Sequence, residues 1–231
     1  MANSSTSRSS TRPVSSALLP DALLAIAVER LADCAALLAD AGITASAVTL
    51  SRLVLAAVGG VLLGFGVFSW AAVVMMCASL GDAIDGLVAR HTHSASPSGA
   101  LLDASVDRYE EFLFLGGLAI HFRENAVALA LALSALAGSF MVSYGSAKAE
   151  AAGMPVPPGV MRRPERAVCL CLGVSLSAIA AGLPPGGSAS SWVVFAPIFV
   201  ALGVVAVLAN VSAVARLRHI ARAAEDRRRR F

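Results

Sequence analysis

Four aspartates stand at two regular intervals in the middle of this chain: Asp82 and Asp85 are three apart, Asp103 and Asp107 four apart. On a helix, either spacing puts both members of a pair on one face. Around them the chain reads Asp82-Ala-Ile-Asp85-Gly86-Leu-Val-Ala89-Arg90, then eight residues, then Gly99-Ala-Leu-Leu-Asp103-Ala-Ser-Val-Asp107. The flanks are apolar, and ionisable groups at membrane depth are costly and by default functional. Four carboxylates brought together would repel one another, and two divalent cations would cancel their formal charge. All-oxygen ligands suit Mg²⁺ or Mn²⁺, and paired ions are a standard device for displacement at phosphorus. Gly86 and Ala89 are small enough to let a ligand approach the backbone. Arg90 could neutralise phosphate charge through its planar fork, and Gly99 would permit close approach of the next helix. Packing of small residues with snorkelling charges explains two register-matched pairs poorly.

The elements that must position these residues are apolar helices. Of the 231 residues 57% are hydrophobic and 14% charged, with a mean hydropathy of +0.75, whereas soluble domains carry about 25% charged residues. Apolar stretches of roughly 20 residues recur without strand-type alternation, which predicts an all-α polytopic membrane bundle. Residues 1–16 are rich in Ser and Thr and read as a disordered N-terminal tail. A helix over about Asp21–Ala41, with Glu29, Asp33 and Asp40 on one face and a stop at Gly42, reads as an amphipathic helix lying along the interface. The apolar run from Ala47 to Leu80 is too long for one span, and Gly64, Gly66 and Ser69 break it into a hairpin whose second arm continues through Arg90. His91–Ser98 reads as a loop in which His91 and His93 are solvated. Further helices are expected at about Ser98–His121, Asn125–Ala149, Glu165–Gly182 and Ser191–Arg216, giving six spans. Proline- and glycine-rich loops at 155–159 and 184–187 separate the last three. The domain covers 17–220, and a basic C-terminal tail covers 221–231. The four cysteines lack C-x-x-C spacing and read as small buried hydrophobes.

With both termini on one side, six spans leave Arg123 as the only basic residue on the other. That bias places both termini and the aspartates in the cytoplasm. Trp70 and Trp192 fall at outer span ends, and Arg227–Arg230 reads as a topology signal attracted to anionic lipid. Nothing in this distribution calls for a nucleic-acid partner.

The pattern D-x-x-D-G-x-x-A-R-x8-G-x-x-x-D-x-x-x-D resembles the signature of the CDP-alcohol phosphatidyltransferase family, with all eight fixed positions present. A chance match in a chain of this length is on the order of 10⁻⁷ or less. The resemblance extends over residues 18–220. It implies transfer of a phosphatidyl group from CDP-diacylglycerol to an alcohol with release of CMP, in a bacterial inner membrane, by a protein that tends to form homodimers. It also implies that Asp82, Asp85 and Asp103 hold metal, with Asp107 beside the second ion as general base. Asp82, Gly86, Ala89, Arg90 and Gly99 would then meet the nucleotide. The segment Ser143-Tyr144-Gly145-Ser146-Ala147-Lys148, followed by Arg163-Pro164-Glu165-Arg166, is similar to the bacterial phosphatidylinositol-phosphate synthase branch. That likeness implies an inositol phosphate or another polyol as acceptor, bound by Arg166, Lys148 and Arg216 or Arg218. Ser146 stands where that branch has its lysine, and an acceptor such as glycerol phosphate or inositol is the alternative. From the residues alone, a divalent-cation transporter using the same aspartates is the rival from another class.

Overall fold

The computed structural model of the chain describes residues 21–155, 159–182 and 191–229. Among them are seven helices and no strand. α1 (Asp21–Asp40) ends at Gly42, whose φ of +78° is the left-handed turn expected of a glycine stop. α2 (Ala45–Gly64) begins at Thr44, whose hydroxyl accepts the Ala47 N–H at 3.2 Å. Gly66 at φ +77° turns the chain into α3 (Phe68–His91), so the long apolar run forms the expected hairpin. α4 (Pro97–His121) is opened by Ser96, which accepts the Gly99 N–H at 3.1 Å, with Pro97 in the first turn. Asn125 caps α5 (Ala126–Ala151) in the same way. α6 (Arg163–Gly182) and α7 (Ser191–Arg229) complete the bundle.

Five of these helices, α2, α3, α5, α6 and α7, are long and apolar enough to cross a membrane. α4 is as long but carries Asp103, Asp107, Arg108, Glu110 and Glu111 within one stretch, whereas Phe114, Leu115, Leu118 and Ala119 beyond it are buried. α7 runs 13 residues beyond the expected end at Arg216, because the Ala- and Arg-rich continuation contains no helix breaker. The cysteines depart from expectation: Cys34 and Cys77 are exposed, Cys169 and Cys171 half-buried, and all four are free. Cys77 faces outward from α3, where an apolar residue needs no protein neighbour if lipid surrounds it. Trp70 is exposed in the first turn of α3. The N-terminal tail, the 184–187 loop, residues 156–158 and the side chains of Trp192 and Arg227–Arg230 lie outside the described residues.

α2 packs on both α3 and α4, α5 on α7, and α6 on α7 and α3. The α2–α4 crossing is the tightest where the backbones meet at Gly60 and Gly117. A methyl at Gly60 would stand 2.6 Å from the Leu113 carbonyl oxygen, so only glycine fits there. That crossing brings the α2 turn holding Arg52 against the charged stretch of α4. Around it a continuous core runs from Ala56 and Leu63 through Phe114, Leu115 and Leu118 to Leu202 and Val205 of α7. Replacing Gly60 with Ala should therefore destabilise the protein by ~1–3 kcal/mol through overpacking. At neighbouring Gly116, where an added methyl meets nothing within 4 Å, Ala should be neutral or stabilising by up to about 1 kcal/mol. Thermal unfolding of the two variants in detergent checks the contrast.

Candidate active site

The four aspartates come together, and they do so around Arg52, the one charged residue of the apolar run from Ala47 to Leu80. Arg52 is fully buried. Its Nη1 donates to Asp85 Oδ2 at 2.6 Å and Asp103 Oδ1 at 2.8 Å. Its Nη2 donates to Asp107 Oδ1 at 2.8 Å and Glu110 Oε2 at 3.2 Å, and lies 3.1 Å from Asp82 Oδ1. Its Nε donates to Glu110 Oε1 at 3.1 Å. Gly81 makes room for this arginine, since a methyl there would fall 2.7 Å from Arg52 Cγ. Thr49, one turn before Arg52, donates its hydroxyl to Asp85 Oδ2 at 2.9 Å. A second arginine, Arg163 at the start of α6, reaches Asp82 at 2.5 Å, Asp107 at 2.9 Å and Glu110 at 2.5 Å. Five carboxylates against two guanidinium groups leave a formal surplus of three negative charges.

That surplus and its geometry fit divalent metal. Asp82, Asp85 and Asp103 each offer an oxygen, and the three oxygens lie within 4.8 Å of one another. Asp107 stands one turn further along α4 on the same face. Two divalent ions would turn the local charge to plus one, a sign suited to a phosphate ester.

The cluster lies between two cavities. One, of about 630 Å³, is lined by Asp85, Gly86, Ala89, Arg90, Gly99 and Asp103 together with the 42–46 turn and the loop 92–96. The small residues singled out at the start thus share one wall. Asp82 does not line this cavity; it faces a smaller one of about 150 Å³ between α3, α4 and α6. His91 and His93 are exposed, His91 as the last residue of α3 and only His93 in the loop that follows.

The other large cavity, about 520 Å³, is lined by Asp107, Ser146, Arg162, Arg163, Arg166 and Arg216 among others. Arg166 is buried on the floor, its Nε donating to Glu111 Oε1 at 2.7 Å and its Nη1 to the Met161 carbonyl at 2.7 Å. Arg216 donates to the Ser146 hydroxyl at 2.5 Å. Two buried donors here, Arg166 Nη2 and Arg216 Nε, have no hydrogen-bond partner among the described residues. Met161 holds φ +62°, an uncommon conformation for a residue with a side chain, and thereby aims its carbonyl at Arg166. Lys148 and Arg218 are exposed and do not line the cavity. Each stands two residues, about 200° of helix, from the cavity-lining Ser146 and Arg216.

A family model for CDP-alcohol phosphatidyltransferase matches residues 42–209. The chain belongs to that family. The match covers every carboxylate of the cluster and the lining residues named for both cavities except Arg216, and it displaces the cation-transporter alternative. Phosphatidylinositol phosphate synthase from Mycolicibacterium smegmatis is 36% identical over 141 residues, which span 59% of this chain and 64% of that protein. The crystal structure of Mycobacterium tuberculosis phosphatidylinositol phosphate synthase with CDP-DAG bound aligns with a TM-score of 0.69 at 27% identity, covering 81% of this chain and 92% of that one. The same enzyme in complex with manganese and citrate gives a TM-score of 0.70 at 26% identity, covering 81% and 87%.

Sequence reasoning did not assign Arg52, Glu110, Glu111, Thr49 or Arg163 to the site. The available signal was Arg52 itself, a lone cation deep in a span, which asks for a partner. Removing one member of a buried ion pair leaves the other uncompensated, at a cost of ~3–5 kcal/mol. Glu111→Ala should show a loss of that size in unfolding experiments. Glu124→Ala, which breaks the exposed pair with Arg123 at 3.6 Å, should change stability by less than about 1 kcal/mol.

Proposed function

We propose that this protein transfers the phosphatidyl group of CDP-diacylglycerol to a phosphorylated polyol, inositol phosphate being the reading its relatives favour, with release of CMP. The observation that carries this reading is the carboxylate cluster placed between a cavity walled by small residues and a cavity walled by arginines. The cytidine diphosphate part of the donor lies in the first cavity, against Gly86, Ala89 and Gly99, with Arg90 at its rim. Asp82, Asp85, Asp103 and Asp107 would hold two Mg²⁺ or Mn²⁺ ions, whose charge would polarise the pyrophosphate and stabilise the CMP leaving group. Asp107 shares Arg52 and Arg163 with the other carboxylates and also lines the second cavity, a position suited to a general base. It accepts the proton of the acceptor hydroxyl as that oxygen forms its bond to the phosphatidyl phosphorus. The phosphorus–oxygen bond to CMP breaks in the same displacement.

The acceptor's phosphate fits the two unpartnered donors. A buried guanidinium N–H without an acceptor is costly, and an anion between Arg166 Nη2 and Arg216 Nε would satisfy both. Lys148 and Arg218, which do not line the cavity, would add field rather than contact. A neutral acceptor such as inositol would meet these donors only through hydroxyl oxygens, without the charge that strengthens a guanidinium contact to phosphate, which disfavours it.

In the membrane the protein takes six spans, counting α4, whose later apolar residues are buried while its charged stretch lines the site. α1 lies along the interface: Ala35 is buried, Glu29, Arg30, Asp33 and Asp40 are exposed, and the helix packs on α3. Both termini and both cavities face the cytoplasm of a bacterium, following the arginine bias. The exposed apolar residues Val200, Val207 and Val211 of α7 would face lipid or a second copy in a homodimer.

The test is CMP release from CDP-diacylglycerol by the purified protein with a panel of alcohols and Mg²⁺ or Mn²⁺. Release that needs inositol phosphate and stops with chelator is expected; no release with any acceptor would sink the reading. Asp107→Asn should fold yet lower turnover by at least ~10²-fold, the usual scale of general-base catalysis. Arg216→Ala, which breaks no carboxylate pair, should raise the acceptor's KM by roughly one to two decades, the worth of a charge-assisted contact. The KM for CDP-diacylglycerol should stay unchanged, and an equal effect on both substrates would remove Arg216 from the acceptor site.

A further inference from the structure

We propose that Arg52 is a positioning residue for the metal site, a built-in cation that gathers the carboxylates and yields part of its hold when a divalent ion binds. This rests on the metal-dependent reading above, though not on the identity of the acceptor. The three aspartates whose oxygens lie within 4.8 Å of one another are all among the carboxylates that Arg52 bridges, through Nη1 to Asp85 and Asp103 and through Nη2 to Asp82. A carboxylate lone pair engaged by an N–H is not free for a cation, and a divalent ion at its ordinary distance of about 2.0–2.1 Å from these oxygens would stand close to a positive guanidinium. The two cations therefore compete for Asp82, Asp85 and Asp103.

Glu110 gives Arg52 somewhere to remain. It meets Nε at 3.1 Å and Nη2 at 3.2 Å, a two-point contact, and it is buried and outside the aspartate trio. Arg163 does not duplicate this role, because its contacts are to Asp82, Asp107 and Glu110 and none is to Asp85 or Asp103. Without some cation at its centre, the cluster would hold five mutually repelling carboxylates in a low-dielectric bundle. Arg52 keeps α2, α3 and α4 in register under those conditions, and in doing so sets the threshold that a divalent ion must overcome.

Mn²⁺ is the probe. The full-length wild type, Arg52→Gln and Arg52→Lys are purified in detergent, and two quantities are measured. One is the Tm in excess chelator and in saturating Mn²⁺; the other is Mn²⁺ affinity, from the spin-resonance signal of free Mn²⁺. Arg52→Gln should lose far more Tm in chelator than in Mn²⁺, and should bind Mn²⁺ at least about tenfold more tightly than wild type. Linkage makes these two results one effect, since a ligand stabilises the state that binds it. Arg52→Lys keeps one charge but cannot span the cluster, so both of its shifts should have the same sign and be smaller. It carries the test alone if Arg52→Gln does not accumulate folded. Equal loss of Tm with and without Mn²⁺ and unchanged affinity would make Arg52 an ordinary core residue and overturn the proposal. Weaker Mn²⁺ binding would overturn it too, by making Arg52 a helper of the ion. Wild-type protein that binds no Mn²⁺ at all would instead refute the metal-dependent reading and this proposal with it.

Discussion

A guanidinium group shut away from solvent, with five carboxylates on its N–H groups, is the interaction on which the rest of this structure depends. Arg52 comes from α2, Asp82 and Asp85 from α3, and Asp103, Asp107 and Glu110 from α4. Burying any one of these charges alone would be prohibitive, and burying them together is tolerable only with close and complete pairing. Polar pairing of this kind does not by itself stabilise a fold. It demands that three helices meet at fixed depth and rotation, and the apolar core and the helix crossings have to supply that.

The crossings do so through small residues. Gly60 and Gly117 let α2 and α4 touch backbone to backbone, and Gly81 leaves the volume into which the Arg52 stem fits. The same economy of side chains, continued at Gly86, Ala89 and Gly99, leaves the cavity on one side of the carboxylates. On the other side α6 and α7 contribute arginines in place of small residues, and the character of the wall changes from permissive to cationic. One cluster of acids thus borders two chemically unlike chambers, which is what a reaction joining a nucleotide-activated lipid to a phosphorylated alcohol requires.

Much of this was legible in the sequence, and the part that was not has a physical cause. Helix limits follow local rules, so Thr44, Ser96, Asn125, Gly42 and Gly66 mark the observed ends within a few residues. The aspartate pairs announce themselves because their spacing is a short-range helical property. Arg52, 30 residues upstream of Asp82, has no local signature beyond being a charge in the wrong place, and its partners lie on other helices. Glu110 and Glu111 hid for the opposite reason: in the crowded charged stretch of α4 they look like surface charge, and only the bundle shows them buried. Lys148 and Arg218 show the same limit from another side. A two-residue offset is small in sequence but a little over half a turn on a helix, and it decides which side chain lines the cavity. The cysteines were misjudged because an apolar span has two apolar environments, and sequence hydropathy does not separate a protein neighbour from a lipid one.

The account stands or falls on what the carboxylates hold. The most direct measurement is anomalous diffraction at the manganese edge from crystals of this protein grown with Mn²⁺ and CDP-diacylglycerol. Two manganese peaks are expected, one among Asp82, Asp85 and Asp103 and one toward Asp107, with the donor's pyrophosphate against both. A map with no manganese at these residues, or with the nucleotide lodged away from Gly86, Ala89 and Gly99, would contradict it.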